Sequence, residues 1–525
     1  MLNWTNKCIL ELRDKAERFA QTGLIHVLDA ELTVVKSDTA VSEELDARLR
    51  EGVKALEDVP EAAKDWHPRS NKQVLDLLHS SLFPVVHGRT KQLDVLDGRV
   101  PRDRCTEFIG KGNVGTGPSS VDATGFSSFQ WLPTDVELTD AGAKIIGYIN
   151  NLLPAAHAPL YRVLERFVDA SVPLWEEALS WFVDRRRLVL ESTADEDDFV
   201  LPEGLTYPRS EGSGDEQDVD EDESDESWRY SDRYLDWRDQ HRILQFREPD
   251  EFKPFARSVR LSDRVDLRSR VVGRGHVQVI FKLANIYLTP EQPEYEGGSW
   301  HVEGSLDERI CATAIYYYDQ ENVTPSHLAF RQGLDAEELM MIPAQSEYTS
   351  LEKYLGVEQD GAAIQHLGSV LTRPGRLLAF PNALQHQVQP FGLEDKSKPG
   401  HRKILAMFLI DPAKPIPSTS DVPPQRKDWW MPEVRKVPAF AQLPYEIFEQ
   451  IIDMVDDFPI SWSDALDIRE SLMDERTDLN ADLDDEMREV GAHSRTPGRH
   501  NMLMVHRTLS PFASIENVCE GYRTG

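Results

Sequence analysis

The alternation of apolar and polar positions divides the chain into a helical part, a β-rich part and a helical end. Up to about Leu201, apolar residues recur at helical spacing, as they do over 160–183, and this predicts a layer of helices. From about Val271 the chain consists of short β-branched and aromatic runs broken by Gly and Pro, which predicts strands. After Asp411 a proline-rich connector precedes a helical pattern over 443–490. Strands at this spacing are typical of a sandwich or small barrel, the class that includes jelly rolls and cupins.

These patterns predict an α+β protein in four segments. We expect a helical N-terminal region over 1–201 that packs on the core, an acidic disordered loop over 202–232, a β domain over 233–412, and a proline-rich connector with a helical C-terminal region over 413–525. Ten of the seventeen residues of 211–227 are acidic, and like charges at that density repel and extend the chain. A decoy for a basic partner, or a phosphorylated segment, is the alternative interpretation.

Charge and cysteine content narrow the classes of partner. The 525 residues include 58 Lys and Arg against 91 Asp and Glu, so 58 − 91 gives −33, which makes nucleic acid an improbable partner and disfavours anionic membranes. No stretch is long and apolar enough for a membrane span. Four dispersed cysteines favour a reducing compartment over a disulfide framework. We therefore expect a soluble cytoplasmic or nuclear protein that acts on an unknown small molecule or protein.

The β-rich part carries the candidate chemistry. His301 and Glu303 are two residues apart, and residues at that spacing share one face of a strand. His386 follows 85 residues after His301, and Arg402 another sixteen residues later. Two imidazoles and one carboxylate suit Fe(II) and leave three coordination positions open. A guanidinium suits the far carboxylate of a 2-oxo acid, and Arg376 and Lys403 compete with Arg402 for that role.

The stretch Val277–Asp411 resembles the double-stranded β-helix of Fe(II)/2-oxoglutarate-dependent oxygenases, in a prolyl-hydroxylase-like arrangement. The matching motifs are HVE followed by ICATAIYYY, then RLLAFPNALQHQVQP, then Arg402 nine residues before Asp411. The resemblance implies that Fe(II) is bound by His301, Glu303 and His386, and that 2-oxoglutarate is bound by Arg402 and Tyr317. Thr313, on the same strand face as Tyr317, is a further candidate for cosubstrate binding. The implied activity consumes O₂, hydroxylates the substrate and releases succinate and CO₂.

A second resemblance runs nearly end to end. The segments KSDT, DWHP, KLANIYLTPE and GGSWHVEG resemble a mostly fungal family of proteins with no assigned function. Against that family the N-terminus starts late, so a leading segment is expected to be missing. The commoner carboxylate ligand in such oxygenases is Asp, and Glu303 is one methylene longer. The alternative to an oxygenase is therefore a catalytically silent β-helix scaffold that binds metal or a small acid and serves as an interaction protein.

Two further motifs can be interpreted either as structural or as functional. His67, His79 and His87 could bind a metal, but they lack a zinc-site spacing, so core or surface histidines are favoured. LPYEIFEQIIDMV, over 443–455, resembles the opening of an F-box. An amphipathic helix that packs Ile447, Ile451 and Val455 on the core is favoured instead.

Overall fold

The computed structural model describes residues 2–28, 33–94, 96, 98–115, 127–180, 199–208, 229, 231–244, 265–270, 275–334, 352, 356–358 and 361–488. Its helices are α1 (Leu2–Thr22), α2 (Glu43–Glu57), α3 (Pro154–Ser180), α4 (Asp232–His241), α5 (Leu267–Arg270), α6 (Lys427–Arg435), α7 (Pro438–Ala441), α8 (Tyr445–Asp453) and α9 (Trp462–Arg488). Its strands are β1 (Ile25–Val27), β2 (Val34–Ser37), β3 (Asp65–Trp66), β4 (Val74–Leu78), β5 (Val85–Val86), β6 (Lys91–Gln92), β7 (Asn113–Val114), β8 (Phe129–Gln130), β9 (Thr134–Thr139), β10 (Gly142–Ile145), β11 (Phe199–Val200), β12 (Ile243–Leu244), β13 (His276–Leu288), β14 (Glu294–Tyr295), β15 (Ile310–Glu321), β16 (Ser326–Gly333), β17 (Ile364–Thr372), β18 (Leu377–Pro381), β19 (Gln385–Val388), β20 (Phe391–Gly392) and β21 (Gly400–Ile410).

A ten-stranded antiparallel sheet forms the centre of the molecule. Its strand order is β1-β2-β18-β15-β21-β13-β4-β3, and β9 joins it through β13 and carries β10. A second sheet has the order β17-β16-β19, and a backbone bridge between His301 and His386 extends it beyond β19. The two sheets together confirm the expected mixture of helices and antiparallel strands.

Alternation along β15 and β21 produces one core on each face of the large sheet. Tyr317 and Phe408 face the smaller sheet and pack in a cluster that includes Phe330 and Phe380. Tyr316 and Met407 lie in the cluster on the opposite face, under α3. This alternation is the period of two that strands impose, and it decides which polar residues enter the space between the sheets.

The N-terminal region contains more strand than its helical periodicity predicts. Helices α2 and α3 cover the outer face of the large sheet, with Leu49, Leu164 and Phe167 fully buried. However, β1 to β10 also lie within 1–201, and β2, β4 and β9 pair with strands of the β domain. These strands are two to six residues long, too short for a periodicity that needs a window of about 11–18 residues. The stretch, which the sequence predicted to be mainly helical, therefore combines α1 to α3 with short strands.

The expected acidic and C-terminal segments agree with the structure only in part. The acidic stretch 211–227 lies outside the described residues. The C-terminal region contains α8 and α9, but α8 buries Phe448 and Ile452, whereas Ile447 is 44% exposed. The favoured amphipathic helix is present with different buried positions. No helix within the described residues is long and apolar enough to cross a membrane.

Candidate metal centre

Two histidines and a glutamate converge where the two sheets meet. The Nε2 atom of His386 lies 3.3 Å from Oε1 of Glu303, and Nε2 of His301 lies 3.9 Å from the same oxygen. The two imidazole centroids are 4.4 Å apart. Neighbouring ligands of an octahedral metal, each about 2.1 Å from the ion, lie about 3 Å apart. The three side chains therefore have the spacing that a single bound ion requires.

The backbone holds these three residues in place. His301 and His386 exchange N–H to carbonyl hydrogen bonds of 3.2 and 3.0 Å, so the two chain segments run side by side at the site. The side-chain amide of Asn382 forms two hydrogen bonds with the backbone of Glu303. Its Oδ1 accepts from the Glu303 N–H at 2.9 Å, and its Nδ2 donates to the Glu303 carbonyl at 2.8 Å. Gly304 follows with φ of +73°, a conformation that favours glycine.

Electrostatics prepares the triad to bind a cation. Burial opposes ionisation of Glu303, but the hydrogen bond with His386 and the field of His301 outweigh it and lower the pKa to about 2. Burial and the neighbouring His386 lower the pKa of His301 to about 4. The Nδ1 atom of His301 lies 2.8 Å from the Ser299 carbonyl and donates to it, so Nε2 of the neutral ring carries the lone pair that a metal needs.

Arg402, Tyr317 and Thr313 lie in the space between the sheets. The Arg402 side chain donates to Ser326 Oγ at 2.7 Å, and its guanidinium carbon lies 4.9 Å from the centroid of the Tyr317 ring. Thr313 pairs in register with Phe380, whose ring lies 4.9 Å from that of His386. Burial raises the pKa of Tyr317 while the Arg402 guanidinium opposes the rise. His386 and Tyr317 therefore adjoin the same cluster of buried side chains between the sheets, His386 through the Phe330 and Phe380 rings.

Between the sheets, three buried polar atoms of Arg402, Tyr317 and Thr313 lack a hydrogen-bond partner among the described residues, as Nδ1 of His386 does in the triad. They are Thr313 Oγ1, the Tyr317 hydroxyl and Arg402 Nε. A buried donor left without an acceptor costs about 1–3 kcal/mol, so three of them indicate a ligand that would satisfy them. A carboxylate offers acceptors for all three. The residues present thus fit both a divalent ion and a 2-oxo acid.

The competing cations have partners elsewhere. Arg376 forms two hydrogen bonds with Asp38, at 2.7 and 2.8 Å. Lys403 points to the outer side of β21 and pairs with Glu57 at 3.0 Å. Of these three cations, Arg402 is therefore the one that the fold directs between the sheets. The assignment of roles to Arg402 and the triad stays a prediction.

The cleft above the triad contains residues that the sequence analysis missed. Its volume is about 420 Å³, and one wall is formed by His67, His79 and Lys282. The opposite wall comes from α9, which contributes Met473, Arg476, Thr477, Asn480, Ala481 and Asp484. Trp300 also lines the cleft. A polar residue at an inward position of an apolar strand, such as Lys282 on β13, was the available signal.

A buried ion pair attaches α9 beside the site. Glu308 is fully buried, and its carboxylate accepts from Arg476 at 2.5 Å and from the Trp131 backbone N–H. Burial raises the pKa of Glu308 while the Arg476 guanidinium opposes the rise. The same guanidinium lies over the Trp131 ring, 3.8 Å from its centroid. The position of α9 thus depends on an interaction next to Gly304.

Comparison with known proteins places the chain in a family. Residues 2–433 match the family described as "Protein of unknown function (DUF4246)", and the chain belongs to that family. No curated protein matches.

Three solved structures show a distant similarity. An Fe(II)/(alpha)ketoglutarate-dependent dioxygenase, TqaL, is 14% identical, with 26% of this chain and 42% of that chain covered and a TM-score of 0.17. A Pseudomonas putida prolyl-4-hydroxylase is 14% identical over 25% of this chain and 51% of that one, with a TM-score of 0.13. EvdO2 from Micromonospora carbonacea var. aurantiaca, in complex with 2-oxoglutarate, is 12% identical over 25% of this chain and 52% of that one, with a TM-score of 0.13. The chain thus spans about half or less of the length of these proteins.

Proposed function

We propose that this protein is an Fe(II)/2-oxoglutarate-dependent oxygenase that hydroxylates its substrate. The observation that carries the proposal is that His301, Glu303 and His386 stand at ligand spacing in the same interior as the buried Arg402. The sheet orders β13-β21-β15-β18 and β19-β16-β17 support a double-stranded β-helix, in which two facing sheets enclose the site. The triad would hold Fe(II), and Arg402 with Tyr317 and Thr313 would hold the far carboxylate of 2-oxoglutarate.

Bound iron and 2-oxoglutarate supply the oxidative chemistry: substrate–H, 2-oxoglutarate and O₂ become substrate–OH, succinate and CO₂. The chain's own part is to bind and position. His301 presents its Nε2 lone pair because its Nδ1–H donates a hydrogen bond to the Ser299 carbonyl. Asn382 fixes the backbone from which the longer Glu303 side chain reaches the site. Apolar side chains around the interior, such as Phe330 and Phe380, exclude water from it.

The proposal includes a cellular location, because the state of the cysteines suits a reducing compartment. Cys105 and Cys311 are buried and unpaired, and burial raises the pKa of Cys105 to about 12. Thiols in that state are inert as nucleophiles. We therefore place the activity in the cytosol or nucleus.

The proposal is tested by an anaerobic titration of the metal-free protein with Fe(II) and then with 2-oxoglutarate. Chelation of protein-bound iron by a 2-oxo acid produces a weak visible charge-transfer band. We expect this band in the wild type, no band in His386→Ala, and a band that needs more 2-oxoglutarate in Arg402→Ala. Lys403→Ala, on the opposite face of the same strand, is the control and should titrate like the wild type. A folded wild type that binds iron without the band would favour the catalytically silent scaffold.

A further inference from the structure

Among the described residues, one cation in the cleft forms no salt bridge. Lys282 lies on β13 opposite Ala406 of β21, two residues from the inward-facing Ile280, so alternation directs its side chain inward. It lines the cleft beside His301 and Glu303. Within the described part of the chain its ammonium lies at hydrogen-bond or salt-bridge distance from no other group, although its charge acts on the nearby Asp76 and Glu303 carboxylates. A half-buried ammonium in this position is available to a ligand.

The other charges of the cleft are already matched. Arg476 pairs with Glu308, and Asp484 accepts from Arg331 at 2.5 Å. Glu303 faces the two histidines of the triad, where a bound ion would balance it. Lys282 therefore gives the cleft a single positive charge to offer.

His67, Asp76 and His79 also lie at ligand spacing, with Nε2 of His79 3.9 Å from Asp76 Oδ2, but their hydrogen bonds favour donor and acceptor roles over a second metal site. Nδ1 of His67 forms a hydrogen bond of 2.7 Å with Asp76 Oδ2. With the proton of the ring on Nδ1, its Nε2 is an acceptor. Nδ1 of His79 accepts the Ser81 backbone N–H at 3.1 Å, so the proton of the neutral ring is on Nε2. Metal ligation through that Nε2 would need the proton on Nδ1, where it would oppose the Ser81 N–H. Burial lowers the pKa of His79, which keeps the ring neutral.

We propose that the cleft binds a substrate that carries a carboxylate, with the Lys282 ammonium as its counter-charge and the Nε2–H of His79 as a second donor. This substrate class rests on the proposed oxygenase function, because the same cleft opens onto the triad. A monoanionic carboxylate fits better than a phosphate dianion, since one cation and one neutral donor face the ligand. The carboxylate would anchor the substrate so that another part of it reaches the metal.

The probes are matched carboxylate and amide pairs: hexanoate with hexanamide, and phenylacetate with phenylacetamide. They are titrated into the protein loaded with Mn(II) and saturated with 2-oxoglutarate, and the paramagnetic relaxation of the probe protons reports binding near the metal. A charge-assisted hydrogen bond strengthens binding of a carboxylate over the matching amide by roughly tenfold or more. We expect the wild type to bind each carboxylate at least about tenfold more tightly than its amide, and Lys282→Met to lose that preference while it still binds Mn(II). Lys403→Met removes a charge from the outer face of the sheet and should retain the preference.

The possible failures separate this proposal from the one it rests on. Equal binding of acid and amide, or a preference that survives Lys282→Met, overturns the carboxylate proposal and leaves the metal centre standing. Mn(II) binding that is the same in wild type and His386→Ala instead refutes the metal centre. The carboxylate proposal would also be overturned if the chain bound two Mn(II) ions and His79→Gln lost one of them. The wall formed by His67, His79 and Lys282 would then contain a second metal site.

Discussion

Asn382 provides a sharp test of how the carboxylate ligand is positioned. Its amide makes two hydrogen bonds to the backbone of Glu303, of 2.9 and 2.8 Å, and its side chain is buried. Each such bond contributes about 1 kcal/mol net, so Asn382→Ala should lower the free energy of unfolding by about 2 kcal/mol. Loss of a group that orients a ligand typically weakens metal affinity by about 10–100-fold, and we expect Asn382→Ala to fall in that range.

The assay is a calorimetric titration of metal-free protein with Mn(II), together with urea unfolding of both forms. Asn322→Ala is the matched control, because the Asn322 amide also bonds to backbone groups, those of Asp395, Lys398 and Pro399. It should reduce stability by a similar amount or more and leave Mn(II) affinity unchanged. If Asn382→Ala loses stability but binds Mn(II) like the wild type, then Glu303 either is not a ligand or does not need this anchor.

Three further predictions concern stability, and urea unfolding checks each of them. Arg476→Met leaves the Glu308 carboxylate buried without its counter-charge and should cost about 3–5 kcal/mol at pH 7; the loss should shrink as the pH is lowered, because burial raises the pKa of Glu308 and favours its neutral form, and a loss that is independent of pH would contradict this. Gly304→Ala should cost about 2 kcal/mol or more, because φ is +73° and a Cβ would lie 2.5 Å from Glu308 Oε2 and 2.7 Å from Ile310 Cδ1; an unchanged midpoint would show that the turn adapts. Burial raises the pKa of Glu176 from 4.5 to about 7, so the folded state binds more protons than the unfolded one between these values, and stability should fall by up to about 3 kcal/mol as the pH rises through that window; Glu176→Gln should flatten the fall.

The sequence predicted the β part of the fold better than the N-terminal part, and strand length explains the difference. β13, β15 and β21 are 11 to 13 residues long, enough for their composition to stand out. β4 and β9 are five and six residues long and resemble turn-rich chain in the sequence, because their partners on β13 lie about 210 and about 140 residues away. Pairing across that distance leaves no local signal.

The candidate site shows the same division between local and long-range information. The spacing of His301 and Glu303 was visible as a motif, and alternation on β15 correctly separated Tyr317 from Tyr316. Three features were not visible: the grip of Asn382 on Glu303, the pairing of His67 with Asp76, and the placement of α9 at the cleft. Each depends on which segments meet in space. His67 was therefore interpreted as an ordinary core or surface histidine, although it lines the cleft.

The position of α9 has a consequence for how the chain encodes its chemistry. The family match ends at residue 433, and α9 begins only at Trp462, yet α9 forms one wall of the cleft. A fragment that stops at residue 433 would retain every proposed metal ligand and lose that wall. Such a fragment would also retain the wall that carries His67, His79 and Lys282, so a change confined to α9 would reshape one side of the cleft and leave the residues at ligand spacing unaltered.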